Sequence, residues 1–454
     1  MLILIKNNFF TLSNEDDEVL YDIYDTLTFE DFSKAYAGGR FDKDKIKKVR
    51  FAKFLEDVEI PTIKIPIGFL YFIKKIFKEQ DLKIVDERKK LSDVDINVDL
   101  KDIQLRDHQK DAIKKALSKD RGIIRAPTGS GKTEVFLAIM KILNNESLVL
   151  FNRVNLAQQT LDRAKRRGLD AGIVQGNNVL EKKITMATVQ SIEKIDDIKK
   201  YKNLIIDEVH YGSSDSYQQI MRMSHWERIY GFSATPVNPN KMDLKSAKII
   251  SHVGPVIFDV EAKPLIEKGI IAKPHIYFVK VNQPDDIEDF DYVNAEKFGI
   301  TFNEHRNKII KKITDDNCDR NVLILSKYIK QGENIHELIE DSKFVYNQTK
   351  AKDRLDILSD FESSKFRVLI AARIFDFGID IINVDTLIIA SGGKEFYLPI
   401  QRLGRALRAS KDKKTVNVYD FWDETNEKLL RHSKSRKKAY INFGYDQIEI
   451  INYE

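Results

Sequence analysis

The chain has 454 residues, 42% of them hydrophobic and 32% charged, with a formal net charge of +5. That length favours two or three domains over one core, and the mild basic excess permits a polyanionic partner without requiring one. The single Cys318 excludes an intramolecular disulfide or a cysteine-based zinc site; with no run of membrane-spanning length, and Met1–Ile5 ending at Lys6, a soluble intracellular protein is expected.

Residues 1–95 read as a small accessory domain. Asn14–Glu18 and Tyr21–Asp31 are acidic with interleaved apolar residues, whereas Arg40–Lys53 is basic through Lys43, Lys45, Lys47, Lys48 and Arg50. Phe69, Phe72, Ile73, Ile76 and Phe77 recur at helical spacing with Lys74, Lys75 and Lys78 between them, which predicts an amphipathic helix. Those lysines are either a solvated face or a basic surface offered to nucleic acid. Asp86–Asp102, charged and poor in apolar residues, reads as a linker.

From Leu105 apolar runs alternate with helical segments, the pattern of parallel-sheet α/β architecture. The first series is Gly122–Arg125, Leu148–Phe151, Ile173–Gln175, Ile184–Ala187, Leu204–Ile206 and Ile229–Phe232. A second runs through Ile276–Val281, Val322–Leu325, Val345, Val368–Ile370, Leu387–Ala390 and Val416–Tyr419. Two doubly wound domains are therefore expected, at 100–260 and 270–454. Ala262–Pro274, with Gly269 and two prolines, is the hinge region between them.

Within the first series, Ala126-Pro127-Thr128-Gly129-Ser130-Gly131-Lys132-Thr133 follows a strand and opens a helix through Val135, Phe136, Ile139, Met140 and Leu143. Strand, glycine turn, Lys-Thr and helix form the context of a phosphate-binding loop, whose backbone N–H groups and helix N-terminus attract phosphate. Lys132 would reach the β- and γ-phosphates of a nucleoside triphosphate, and the Thr133 hydroxyl would ligate Mg²⁺. Ala126 stands where the strict pattern has its first glycine. Roughly seventy residues on, Asn203-Leu204-Ile205-Ile206 ends in Asp207-Glu208-Val209-His210. Adjacent acids at the end of a buried strand are costly unless compensated. Asp207 fits the Mg²⁺-holding acid, and Glu208 the group that orients and deprotonates water.

Asp207-Glu208-Val209-His210 resembles the Asp-Glu-x-His box of superfamily 2 helicases, and further motifs resemble that family's in order over roughly residues 100–425. The resemblance implies two tandem RecA-like domains. Arg106-Asp107-His108-Gln109 is similar to its adenine-recognising motif, which implies Gln109 on the base edge and Arg106 among the cofactor-binding residues. Leu156-Ala157-Gln158-Gln159 resembles motif Ia, with Asn152-Arg153 in place of the usual Pro-Thr, and Thr188-Val189-Gln190 resembles the next strand-contacting motif. These imply nucleic-acid contacts at Arg153, Thr188 and Gln190. Ser233-Ala234-Thr235 matches motif III, which implies that His210, Ser233 and Thr235 couple hydrolysis to strand movement. Phe377-Gly378-Ile379-Asp380 resembles motif V, placing Gly378 and Asp380 near ribose and metal. Gln401-Arg402-Leu403-Gly404-Arg405-Ala406-Leu407-Arg408 matches motif VI. It implies catalytic roles for Gln401, Arg405 and Arg408. Three apart, the two arginines would share a helix face, and such fingers typically contribute about 10³–10⁵ in phosphoryl-transfer rate.

Lys428, Arg431, Lys434, Arg436, Lys437 and Lys438 occur with no acid among them and read as a phosphate-neutralising tail segment. Arg163-Ala164-Lys165-Arg166-Arg167 reads as a solvated helix face, and Phe375, Phe396, Tyr397, Phe421 and Trp422 could include a base-stacking wedge. The Asp-Glu-Val-His box and the overall layout look similar to UvsW-like phage helicases, which implies a monomeric ATP-dependent enzyme acting on forked or branched DNA. An RNA helicase or duplex translocase, and an ATP-gated nucleic-acid clamp, remain as alternatives.

Overall fold

The computed structural model describes residues 1–33, 35, 43–77, 81–88, 105–238, 241–281, 287–372, 383–392 and 415–453. It divides into two compact units, Met1–Arg125 with Gly131–Val260, and Glu261–Glu454 with the short segment Ala126–Ser130. Among the described residues no helix is long and apolar enough to cross a membrane.

The first unit opens with a five-stranded sheet in the order Lys53–Phe54, Thr62–Pro66, Phe9–Ser13, Leu2–Ile5, Lys83–Asp86. Strand alternation sends Ile3, Ile5, Phe10, Leu12, Ile63 and Ile65 to one buried face. Over it lies the helix Asp17–Thr26, whose N-cap Asp16 accepts from the Glu18 N–H at 3.1 Å. The basic run partly answers nearby acids: Lys47 and Lys48 lie across a two-stranded ladder from Asp31 and Glu30. The amphipathic helix forms over Leu70–Ile76 after a 3₁₀ turn at Ile67–Phe69. Phe69 and Ile73 enter the core, while Ile76 remains exposed.

That core does not end at residue 95. It takes in Ala247 and Ile250 from the helix Leu244–Val253. A Cβ at Gly68 would overlap the Ile250 carbonyl, so only glycine permits this approach. The buried Arg121 guanidinium donates to the carbonyls of His252 (2.9 Å), Asn7 (3.0 Å) and Trp226 (3.2 Å). Burial, the largest influence, pushes Arg121 down to about 10. Arg88 reaches both Asp86 and Asp120.

The large sheet of this unit runs Asn178–Leu180, Ala171–Gln175, Ile184–Thr188, Ser147–Phe151, Asn203–Asp207, Arg228–Ser233, Arg121–Arg125, Val256–Asp259. Its pairings are parallel except for the hairpin strand Asn178–Leu180. Both faces are covered, one by a cluster including Phe136, Ile139 and Leu161, the other by one including Ile206, Tyr217 and Trp226. Strands buried on both sides must be apolar at successive positions, which is why they read as continuous runs.

The second unit holds a seven-stranded, wholly parallel sheet. Its order is Ser342–Tyr346, Val368–Ala372, Val322–Ser326, Thr386–Ile389, Thr415–Trp422, Lys273–Lys280, Ile448–Asn452. The expected α/β class, with two parallel sheets and a small N-terminal element, is the observed one. Part of the expected hinge is itself regular: Ala262–Glu267 is helical.

Candidate nucleotide and strand-contact site

Parallel strands place their C-terminal ends along one edge, where α/β sheets present functional groups. Asp207 is in register with Phe232, and Ser233 with Arg125, so three motif-bearing strands end side by side. The glycines of the loop have φ of 85° at Gly129 and 89° at Gly131, a region that costs residues with a Cβ. Ala126 is absent from the left-handed positions, so the missing first glycine brings no backbone strain. Ser130 Oγ donates to the Pro127 carbonyl at 2.7 Å within the turn. Gly131 then serves as N-cap of the helix Lys132–Leu143, which opens with Lys132 and Thr133.

Gln109 is 3% exposed. Its Oε1 accepts from the Arg106 N–H at 2.9 Å, and its Nε2 donates to the Gly131 carbonyl at 3.4 Å. A Cβ on Gly131 would collide with that Nε2. Gln109 therefore braces the loop from the N-terminus of the helix Asp107–Leu117.

Asp207 ends its strand half-buried, and the next residue turns sharply: Glu208 has φ 51° and ψ 57°. A left-handed non-glycine costs of order 1–3 kcal/mol and persists only where its surroundings enforce it. Here Ser233 Oγ donates to Glu208 Oε2 at 3.1 Å and accepts from the Thr235 N–H at 3.1 Å. His210 Nδ1 lies 3.0 Å from the same hydroxyl and 3.3 Å from Glu208 Oε2. One hydroxyl has one proton. With it given to the carboxylate, His210 must donate from Nδ1, which fixes its tautomer if neutral. His210, Ser233 and Thr235 thus form one bonded group with Glu208. Among the described residues the buried Thr235 hydroxyl oxygen has no hydrogen-bond partner, and neither has that of Tyr217. Burial, followed by the charge of Asp207, raises the Tyr217 phenol.

The three strand-contact candidates differ in placement. Arg153 is the half-buried N-cap of the helix Val154–Arg166, and Gln190 is exposed. Thr188 is 1% exposed and donates to Ser191 Oγ at 3.1 Å, so its hydroxyl is turned inward. Ser191 Oγ also accepts from the Gly176 N–H at 3.0 Å, tying in the hairpin Ala171–Leu180, an element that no motif had marked.

Two basic stretches need correction. Arg167 Nε lies 3.2 Å and Arg163 Nε 3.8 Å from the carboxylate of Glu134, so this part of the helix face is engaged with an acid rather than simply solvated. Arg436 is 2% exposed and donates to Asp420 at 3.1 Å and to the Phe421 carbonyl at 2.8 Å. It is a core residue, removed from the phosphate-neutralising set. Phe421 is likewise fully buried, beneath the Arg306 guanidinium, and cannot be a wedge. Gly378, Asp380, Gln401, Arg405 and Arg408, with Phe375, Phe396 and Tyr397, lie outside the described residues.

Two protein families match in tandem: the type III restriction enzyme res subunit over residues 102–238 and the helicase conserved C-terminal domain over residues 304–410. A Haloarcula marismortui protein named provisionally as DNA 3'-5' helicase Rad25 is 26% identical over 358 residues, covering 76% of this chain and 56% of its own. The chain thus spans little more than half the length of that relative. The DNA 3'-5' translocase XPB2 of Sulfurisphaera tokodaii is 27% identical over 396 residues, 76% of this chain and 87% of the relative. The crystal structure of T4 UvsW aligns over 100% of this chain and 99% of its own at 18% identity, with a TM-score of 0.43, a level that does not itself establish a common fold. With both motor-domain families matched in order along the sequence, the chain belongs to the superfamily 2 helicases.

Proposed function

We propose that the protein is a nucleic-acid-dependent ATPase that translocates on DNA, and that forked or branched DNA is its preferred substrate. The observation that carries the reading is the single sheet edge on which the phosphate-loop strand, the Asp207 strand and the Ser233 strand end together. The relatives named as 3'-5' DNA helicase and translocase support DNA over RNA and a 3'-5' direction. The preference for branches rests on the sequence resemblance to UvsW-like enzymes.

The residues present suit a Mg²⁺–ATP complex. Among the described residues no group of three or more His, Cys, Asp or Glu could hold a metal alone. Mg²⁺ favours such sparse sites, taking most of its ligands from phosphate and water. Asp207 and Thr133 would hold it, and when bound it would neutralise charge on the β- and γ-phosphates. Lys132 and the N-terminus of its helix bind and orient the phosphates, and Gln109 keeps the loop in the form that exposes its N–H groups. Glu208 accepts the proton of the attacking water. Ser233 holds that carboxylate in its strained turn, so a shift of the Ser233–Thr235 segment re-aims the base. Coupling of hydrolysis to movement is thereby assigned to Ser233, Thr235 and His210. The roles of Gly378, Asp380, Gln401, Arg405 and Arg408 rest on the sequence resemblance alone. Arg153 and Gln190 are the proposed strand contacts in the first domain, with Thr188 acting through Ser191.

The test is the ATPase rate with single-stranded DNA, duplex, fork, four-way junction and RNA at matched nucleotide concentration. Strongest stimulation by forks and junctions is expected. Strongest stimulation by RNA, or an equal response to plain duplex, would replace branch remodelling with RNA unwinding or duplex translocation.

A further inference from the structure

Glu134 is an unusual residue for its position. The helix Lys132–Leu143 has seven buried residues, and Glu134 is the only charged one, at 9% exposure. It lies in the first helical turn, immediately after Lys132 and Thr133. Its carboxylate meets Arg167 through Nε at 3.2 Å and Nη2 at 3.5 Å, and Arg163 Nε at 3.8 Å. The two arginines, four apart, share the C-terminal face of the helix Val154–Arg166, with Arg167 as its cap. The N-cap of that helix is Arg153, ten residues or roughly 15 Å from Arg163.

Stability alone is a weak reason for this arrangement. Apolar side chains of similar volume often replace a buried ion pair without loss, whereas a charged pair fixes orientation. The acid near a helix N-terminus and the cations at a helix C-terminus are each favoured by the helix dipoles, so the link joins two helix ends in a defined register. One of those ends holds the phosphate-binding Lys132. The other belongs to the helix that presents Arg153.

We propose that Glu134, with Arg163 and Arg167, is a positioning group that couples nucleotide occupancy at Lys132 to strand binding at Arg153. This rests on the ATPase and DNA-binding reading above. A displacement of the first helical turn on phosphate binding carries Glu134 with it, and the paired arginines pass that displacement to the Val154–Arg166 helix as a rigid body.

The experiment measures the dissociation constant of a labelled single-stranded oligonucleotide with and without a non-hydrolysable ATP analogue. The ratio of the two constants is the coupling. Glu134→Gln and Arg167→Gln are each expected to shrink the wild-type ratio by about 2- to 30-fold, the range in which residues along a coupling route act. The double variant should shrink it little further, and the swap Glu134→Arg with Arg167→Glu should restore part of it. For Arg167→Gln, the variant farther from the phosphate loop, nucleotide affinity without DNA should stay within about twofold of wild type. A lowered melting temperature with an unchanged ratio would make the cluster structural only and overturn the proposal. A wild-type ratio of one would also overturn it, while leaving ATPase activity and DNA binding as separate readouts of the function itself.

Discussion

Arg436→Met separates two readings of the C-terminal helix Glu427–Asn442 by both sign and size. The Arg436 side chain is 2% exposed and Asp420 0%, and nearby Arg306 and Asp423 are 0% and 1%. These four form a buried set of two cations and two anions. Arg306 Nη1 bonds Asp423 at 2.5 Å, and Tyr440 donates to Asp420 at 3.2 Å. Methionine keeps much of the volume but removes the bonds to Asp420 and to the Phe421 carbonyl, leaving one buried negative charge in excess. Breaking one side of a buried pair costs about 3–5 kcal/mol. For a unit of this size each kcal/mol moves the melting temperature by about 2–4 °C, so a fall of roughly 6–20 °C is expected. The assay pairs thermal unfolding with the salt dependence of DNA binding. Lys434→Ala, at an exposed position of the same helix, supplies the contrast. It should leave the melting temperature unchanged and reduce the slope of log K against log salt by about 0.7–0.9 if it meets a phosphate. Adding Asp420→Asn to Arg436→Met should recover part of the lost stability. A flattened salt slope with unaltered melting for Arg436→Met would refute the reasoning and return this arginine to the DNA surface.

Lys132→Ala should abolish ATPase activity and leave DNA binding largely intact, as measured by steady-state hydrolysis and oligonucleotide titration. Ser233→Ala removes a hydrogen bond to a charged carboxylate, a loss of about 1.5–3 kcal/mol. It should lower kcat at least tenfold with little change in melting temperature, and an unchanged kcat would detach Ser233 from Glu208. Gly68→Val drives a side chain into the Ile250 carbonyl, and overpacking of this kind costs typically about 1–3 kcal/mol. Melting of the whole first unit should fall, whereas unaltered melting would show that the N-terminal sheet is dispensable to that unit. His252 is pushed down to about 4 by burial and then by the charges of Arg222 and Arg121. Its folded-state pKa lies below the unfolded value, so the unfolded chain binds the extra proton between roughly pH 6.5 and 4. The stability tied to neutral His252 is full above that window and is lost as pH falls through it. Urea titrations from pH 7 to 4 should show the slope, and His252→Asn should flatten it.

The parts of the molecule legible in the sequence are those whose geometry is enforced locally. Six apolar runs in the first motor domain became six parallel strands because a strand buried on both faces admits few polar residues. Gly129 and Gly131 announced a turn because φ near +85° excludes most other residues. The strands Val256–Asp259 and Ile448–Asn452 were not legible. Both lie at sheet edges, Val256–Asp259 mostly half-buried and Ile448–Asn452 mostly exposed, and neither has a fully buried residue, so neither carries the unbroken apolar signature.

What the sequence could not distinguish was the destination of a charge. Arg436 and Lys434 are two residues apart in one basic run, yet one is buried against Asp420 and the other is exposed. The difference lies in how the chain returns from the strand Thr415–Trp422 to the helix Glu427–Asn442, which sets Asp420, sixteen positions before Arg436, beneath one helix face only. Glu134 shows the converse. It reads as one more polar residue beside a conspicuous Lys-Thr, and only the packing of the Val154–Arg166 helix brings Arg163 and Arg167 to it. A hydroxyl is just as ambiguous: Ser233 and Thr188 stand in equally recognisable motifs, but Ser233 reaches the Glu208 carboxylate while Thr188 closes onto Ser191. Motifs mark where backbone and chemistry meet, and the partner of each polar atom is settled by elements distant in sequence. The first place to look for coupling in this chain is therefore among side chains that carry no motif and sit one bond away from those that do.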